Sequence, residues 1–222
     1  RFEVQSFAFE NLKAFKHYRW TVVAVQGPSA NSMQIAEVEL LGSVVPSDVT
    51  QPGDPLIASS DNSPGSEGVA NAIDNQPTKY LNFDAAGGTD VGFIVSPAIG
   101  DTLVRGISLQ SANDAIERDP GQIRLEGSND VEVTGWDEGN WELIYENLEI
   151  PGWDAVFGDD NRFKVQTFLF DNVIPYRHYR WVVLEVQNVD SANSMQIAEV
   201  ELHGTGAPAD VTQPGDILIA SS

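Results

Sequence analysis

Side chains able to do chemistry are dominated by acids in this 222-residue chain, which has 33 Asp and Glu, 12 Lys and Arg, three His and no Cys. Without cysteine there is no thiol nucleophile, no zinc-thiolate site and no disulfide framework. His17, His178 and His203 stand at no metal-binding spacing, and the two in HYRW read as packed or surface residues at a strand start. No G-x-S-x-G elbow occurs. Acidic pairs such as Asp159-Asp160 fall in turn-rich stretches, where carboxylates are solvated more often than catalytic. Nothing here argues for an enzyme. What remains is polar chemistry in loops. In the stretch Asp74-Asn75-Gln76-Pro77-Thr78, Asp74 and Thr78 can form an Asx-turn and a local cap. On that plain reading Glu199 is a solvated residue at a sheet edge.

The formal net charge is −21. Phosphate recognition needs clustered Lys and Arg, so nucleic acid is excluded as a natural partner. Twelve basic residues also argue against docking on anionic lipid. No apolar run approaches the ~18 residues that span a bilayer, so membrane insertion is not expected. The first residue is Arg1 and no signal-peptide pattern follows it, which is expected of a processed chain or a piece of a longer one.

The strongest pattern is a duplication. RFEVQSFAF with HYRW at residues 1–20 returns as RFKVQTFLF with HYRW at residues 162–181. SANSMQIAEVEL occurs at Ser29–Leu40 and again at Ser191–Leu202, and DVTQPGD at Asp48–Asp54 and Asp210–Asp216. Residues 1–26 match 162–187 at 14 of 26 positions, and residues 29–60 match 191–222 at 26 of 32. The offset, 162 − 1 = 161, becomes 191 − 29 = 162 after a slip at Gly27-Pro28. Such a period is a whole domain, because solenoid units run ~20–50 residues. The linker SVVPSDVTQPGDP is rich in Pro, Gly, Ser and Asp, as domain boundaries are. Residues 1–43 are therefore expected to be the C-terminal part of a preceding repeat, 44–204 a complete domain, and 205–222 the start of a following one.

The elements that must position the loops are short strands. Val91–Val95, Val104–Leu109, Gln122–Leu125, Trp141–Tyr145 and Trp181–Val186 are rich in Val, Ile and aromatics and are bounded by Gly, Pro, Asn and Asp. Ile123 and Leu125 alternate with polar residues, as Val200 and Leu202 do with Glu199 and Glu201. Ser66–Ile73 has room for a helical turn or two. The expected class is all-β, a sandwich or jelly-roll.

Four ordered motifs sharpen this. IASSDNSPGSEGVANAIDNQPTKYLNF opens the domain; VRGISLQSAND follows, then IRLEGSND with NWELIYE; HYRWVVLEV with MQIAEVELHG closes it. In this order and spacing they resemble the discoidin, or coagulation-factor C-type, family, which includes carbohydrate-binding module family thirty-two. Asn75 stands where the family has Gly, and Tyr80 where it has Trp. The resemblance implies a discoidin-like jelly-roll β-sandwich whose termini lie together and whose function sits in loops at one end. It also implies a structural calcium ion between the loop and the last strand. The ligands would be the carbonyls of Asn71, Gln76 and Ala198 and the side chains of Asp74, Thr78 and Glu199, a hard-oxygen set that suits calcium; sodium fits the same site. Sugar-binding members use neighbouring loops, and the equivalent positions here are Lys79, Tyr80 and Asn82 and the segment Asn113, Asp114, Glu117, Arg118, Asp119. Arg118 and Asn113 supply the planar polar groups that sugars need. The plain alternative is that Arg118 pairs with Asp119 or Glu117. Trp141 matches a structural Trp of the family, which leaves Trp153, beside Gly152 and Asp154, as the platform candidate.

Two non-catalytic functions follow for an extracellular or cell-surface protein. In the first, the domain is one repeat of a fibre, sheath or giant adhesin, its partners being copies of itself or adjacent repeats. The close similarity of the repeats and the short linker favour this. In the second, it is a carbohydrate-binding module attached to a secreted enzyme or adhesin, with glycans as partners.

Overall fold

The computed structural model describes residues 19–25, 27, 29, 31–35, 38, 47–85 and 90–206. The chain divides into two compact units, residues 1–45 and 46–222. The expected start of a following repeat at 205–222 lies almost wholly outside the described residues, as do most of residues 1–43.

The second unit is nearly all β. Its strands are β1 (Ser47–Asp48), β2 (Leu56–Ala58), β3 (Tyr80–Asn82), β4 (Val91–Val95), β5 (Thr102–Gln110), β6 (Pro120–Ser128) and β7 (Glu142–Asn147), followed by β8 (Val165–Leu169), β9 (His178–Val186), β10 (Met195–Ile197) and β11 (Glu199–Gly206). The short helix α1 (Trp153–Phe157) separates β7 from β8, and a 3-10 helix spans Val69–Ile73, where a turn or two was expected. Every strand run expected from composition lies within one of these strands or overlaps it. Among the described residues no helix is long and apolar enough to cross a membrane.

Two sheets form the sandwich. One has the order β1-β11-β5-β8 and the other β2-β4-β9-β6-β7, with a small β10-β3 pair beside them. All pairings are antiparallel. Alternation, reset by a bulge at Arg105, sends Val104, Ile107 and Leu109 of β5 and Val200 and Leu202 of β11 inward from one sheet; Phe93, Ile123, Leu125, Tyr179, Trp181 and Val183 face them from the other. The rings of Phe93 and Trp181 lie 5.4 Å apart. Gly92 permits this seam, since a Cβ there would sit 1.9 Å from the Trp181 carbonyl oxygen. With no disulfide, cohesion rests on this apolar core, at about 25 cal/mol per Å² buried, and on polar ties across it.

Register fixes the two ends of the sandwich. Ser47 pairs with Gly204, and Gly206 with Thr102, so the domain termini share one end. Glu199 pairs with Gln110 at the other end, where the loops 66–79, 111–119 and 187–194 gather.

Candidate functional site

The loop end is built around the turn that leaves the 3-10 helix. Asp74 closes that helix with φ −91° and ψ 1°. Asn75 follows in the left-handed region at φ +58°, which Asn tolerates at low cost and which explains its standing in for Gly. Asp74 Oδ1 then accepts the Gln76 backbone N–H at 2.8 Å, and its Oδ2 accepts the Thr78 hydroxyl at 2.5 Å. The Asx-turn and cap are therefore present. They do not exhaust the site, because Glu199 is not solvated. Its side chain enters from the start of β11 with only 6% of the residue exposed, and its Oε2 is buried without a hydrogen-bond partner. Burial pushes its carboxyl up to about 8, and the negative charges of Asp74, Glu201 and Asp48 add to this; a backbone hydrogen bond from Asn75 opposes it.

This arrangement suits a cation. A buried carboxylate oxygen without a donor, beside a second carboxylate, is costly unless positive charge compensates it. Among the described residues no three His, Asp or Glu side chains gather. A cation here would thus rest on Asp74 and Glu199, with Thr78 and the carbonyls of Asn71, Gln76 and Ala198 completing an all-oxygen set of the kind calcium takes. When bound, the ion would supply fixed positive charge that ties the 3-10 helix turn to β11. The chain's own residues already prepare this, since Asn71 donates to the Ser66 and Lys79 carbonyls at 2.9 and 2.7 Å and so shapes the loop.

Beside this turn lies the loop 111–119. Asp119 is fully buried, and its carboxylate takes Arg162 on both oxygens, at 3.1 and 2.5 Å, and the Gln196 amide at 3.1 Å. Burial pushes the Asp119 carboxyl up and Arg162 opposes the shift. Gln196 also donates to the carbonyls of Asp114 and Ala115. Arg162 donates to the Asp114 carbonyl at 2.7 Å, and Lys79 reaches the Asp114 carboxylate at 3.5 Å and Glu67 at 3.4 Å. These ties hold Ala115 at φ +44°, a backbone conformation that a residue with a Cβ adopts only when its surroundings enforce it. Arg118 is the exception in this neutralised loop. It is half-buried, makes no ion pair with Asp119 or Glu117, and its Nε has no partner among the described residues. Asn113 is exposed on the same loop.

Lys79, Asn113 and Arg118 therefore stand on adjoining loops, whereas three other expected residues do not join them. Tyr80 is fully buried, its hydroxyl taking the Asn82 amide at 3.0 Å. Asn82 is itself buried between Tyr80 and Ser59. Trp153 is fully buried in α1 and donates its indole N–H to the Lys164 carbonyl at 2.8 Å. A ring with both faces packed cannot stack a sugar, so neither aromatic is a platform. A half-buried aromatic arrangement lies at the opposite end, where the Arg180 guanidinium sits 5.5 Å from the Trp136 ring and 4.6 Å from the Trp141 ring. Near it a cavity of about 200 Å³ is lined by Ser128, Asn129, Asp130, Asn140, Glu142 and Tyr176. Sequence reasoning set Trp141 aside and did not see this pairing, because strand β9 brings Arg180 to it from about forty residues away.

A sandwich with adjacent termini, and with polar loops braced at the far end, defines the class: this is the discoidin-like jelly-roll fold of family 32 carbohydrate-binding modules. No protein-family model matches the chain, and no curated protein does. Among solved structures, the family 32 module of Clostridium perfringens NanJ, in complex with galactose, superposes with a TM-score of 0.51 at 14% identity, covering 72% of this chain and 98% of that one. Chitosan-binding module 2 of a Paenibacillus sp. IK-5 chitosanase/glucanase, in complex with chitotriose, gives 0.53 at 13% identity, covering 71% and 100%. A Clostridium perfringens module in complex with GalNAc-β-1,3-galactose gives 0.52 at 19%, covering 71% and 99%.

Proposed function

We propose that the domain is a non-catalytic carbohydrate-binding module of an extracellular protein, its loop end braced by a structural calcium ion. The observation that carries this reading is Arg118. In a loop where Asp119 and Asp114 are already neutralised, one planar guanidinium is left without a carboxylate among the described residues, half-buried, on the same loop as the exposed Asn113. A spare bidentate donor on a rigid, tied loop is what recognition of vicinal hydroxyls needs. The similar structures support the same reading, being glycan-binding modules in complex with galactose, chitotriose or a GalNAc-galactose disaccharide. Glycan-array binding by the full chain tests it. Binding that falls at least tenfold in Arg118→Ala supports the assignment; an array with no signal, or a signal indifferent to Arg118, removes it.

A second reading, that the domain is a repeat which assembles through contacts with its own kind, is favoured by a different observation. Trp20, Met33 and Ile35 in the first copy of the duplicated segment are each exposed, and large apolar side chains left in solvent suit a partner surface.

A further inference from the structure

The two sheets of the sandwich end in four edge strands, β1, β8, β2 and β7. Three of them are blunted. β1 has two residues and β2 has three. β7 carries the exposed acids Glu142 and Glu146, which repel a second acidic surface. β8 has neither protection. It runs for five residues, Val165–Leu169, without a charge, and Val165, Thr167 and Phe168 are β-branched or aromatic.

The core holds this strand in one register. Gln166 is buried and donates to the Pro151 carbonyl at 2.9 Å, and Tyr145 stacks on Phe168 and Phe170 at 6.4 and 4.8 Å. Val165, Thr167 and Leu169 face the other way and are exposed, Val165 at 47% and Leu169 at 49%. The backbone alternates too. The Ser111 N–H donates to the Lys164 carbonyl at 3.0 Å and the Phe170 N–H to the Arg105 carbonyl at 3.1 Å. In an antiparallel ladder the bonded pairs recur at every second residue, so Gln166 and Phe168 complete the set that binds β5. The N–H and C=O groups of Val165, Thr167 and Leu169 therefore point away from β5. None of these six groups has a hydrogen-bond partner among the described residues.

A strand that pairs with them must be extended, uncharged and apolar at alternate positions. β8 of a second molecule meets all three conditions when it runs antiparallel about Thr167. Val165 then lies opposite Leu169 of the partner subunit, and Thr167 opposite Thr167 of the partner subunit. All six groups are satisfied by their own equivalents, and each exposed apolar side chain gains an apolar cross-strand neighbour. Flanking charge does not oppose the arrangement, because the end that carries Lys164 comes beside the partner end that carries Asp171. Such a contact is isologous.

We propose that β8 is a homodimerisation edge, which joins the four-stranded sheets of two chains into one continuous sheet of eight strands by edge-to-edge addition. The inference uses residues of the second unit alone and does not depend on what the loops bind.

Sedimentation equilibrium of the full chain tests it. A monomer–dimer equilibrium is expected, and the dimer should tighten as salt rises, because screening weakens the repulsion between two chains of net charge −21. Thr167→Lys sets two lysines opposite each other at the twofold axis. It should weaken the dimer at least tenfold even though it makes each chain less negative. Thr167→Glu should do the same. An equimolar mixture of the two variants places Lys opposite Glu and should recover the dimer to within about threefold of the unmodified chain. Thr167 is exposed and its hydroxyl meets only Ser108, at 2.8 Å, so the far-ultraviolet spectra should not change. Val165→Thr with Leu169→Thr keeps strand-forming residues, removes the apolar contacts and should weaken the dimer as well. A chain that stays monomeric up to about 1 mM overturns the proposal. So does a dimer that neither Thr167→Lys nor the double Thr variant weakens, or a mixture of the charged variants that stays monomeric.

Discussion

Residues 19–38 and 180–200 carry nearly one sequence in two environments. In the second stretch Trp181, Met195 and Ile197 pack between two sheets; in the first, Trp20, Met33 and Ile35 meet solvent. Local sequence decides which face of a strand is apolar, but burial is conferred by the partner surface. The difference teaches that intrinsic pattern and realised stability are separate quantities, since the same side chains contribute several kcal/mol in one place and a solubility hazard in the other.

Four measurements would break or sharpen that contrast. The largest effect is expected at Phe93, a body residue with no duplicate that packs on Trp181. Phe93→Ala should cost about 3–5 kcal/mol in denaturant unfolding, whereas Trp20→Ala should change the same midpoint by less than about 0.5 kcal/mol. Equal losses would mean that both copies are packed. Calcium comes next. An ion that binds the native state at a hundredfold excess over its Kd stabilises by about 2.7 kcal/mol, so chelation should lower the melting temperature. Asp74→Ala and Glu199→Gln should abolish that sensitivity while Glu37→Gln leaves it intact. Melting curves that are indifferent to chelator would exclude the ion.

The third effect is alkaline. Burial pushes the Tyr179 hydroxyl up to about 12, although the hydrogen bond that it accepts from the Thr102 hydroxyl opposes the shift. Because the folded value lies above the unfolded one of about 10, the associated stability is complete below pH 10 and is lost as pH rises toward 12. The loss is roughly 2–3 kcal/mol for two units. Tyr179→Phe should flatten this limb of the stability profile and Tyr18→Phe should not. The smallest effect is expected from Tyr176→Phe, which turns the buried copy into the other at one atom and should cost about 1 kcal/mol through the lost hydrogen bond to Glu142.

Much of the fold was legible because period-two alternation is a local signal: Ile123 with Leu125, and Val200 with Leu202, point inward as their spacing predicts. The Asp74 turn was legible for the same reason, its bonds closing within four residues. What escaped was set by distant segments. Arg118 has no ion pair among the described residues because Arg162, from beyond β7, takes Asp119 first. Tyr80 and Trp153 read as solvent-facing rings next to polar neighbours, and only the packing of β3 and α1 on the core shows them enclosed. The histidine of the last strand, His203, had no assigned role, and it meets Ser108 at 2.5 Å across the sheet.

The pairing of Ser47 with Gly204 has a mechanical consequence. Tension applied between residues 46 and 206 pulls on two neighbouring strand ends at one pole of the sandwich, so it opens the β1–β11 ladder one rung at a time instead of shearing many rungs together. The first barrier is a strand of only two residues. Under load the domain would yield from its termini, and the braced loops at the far pole would be the last to feel the force.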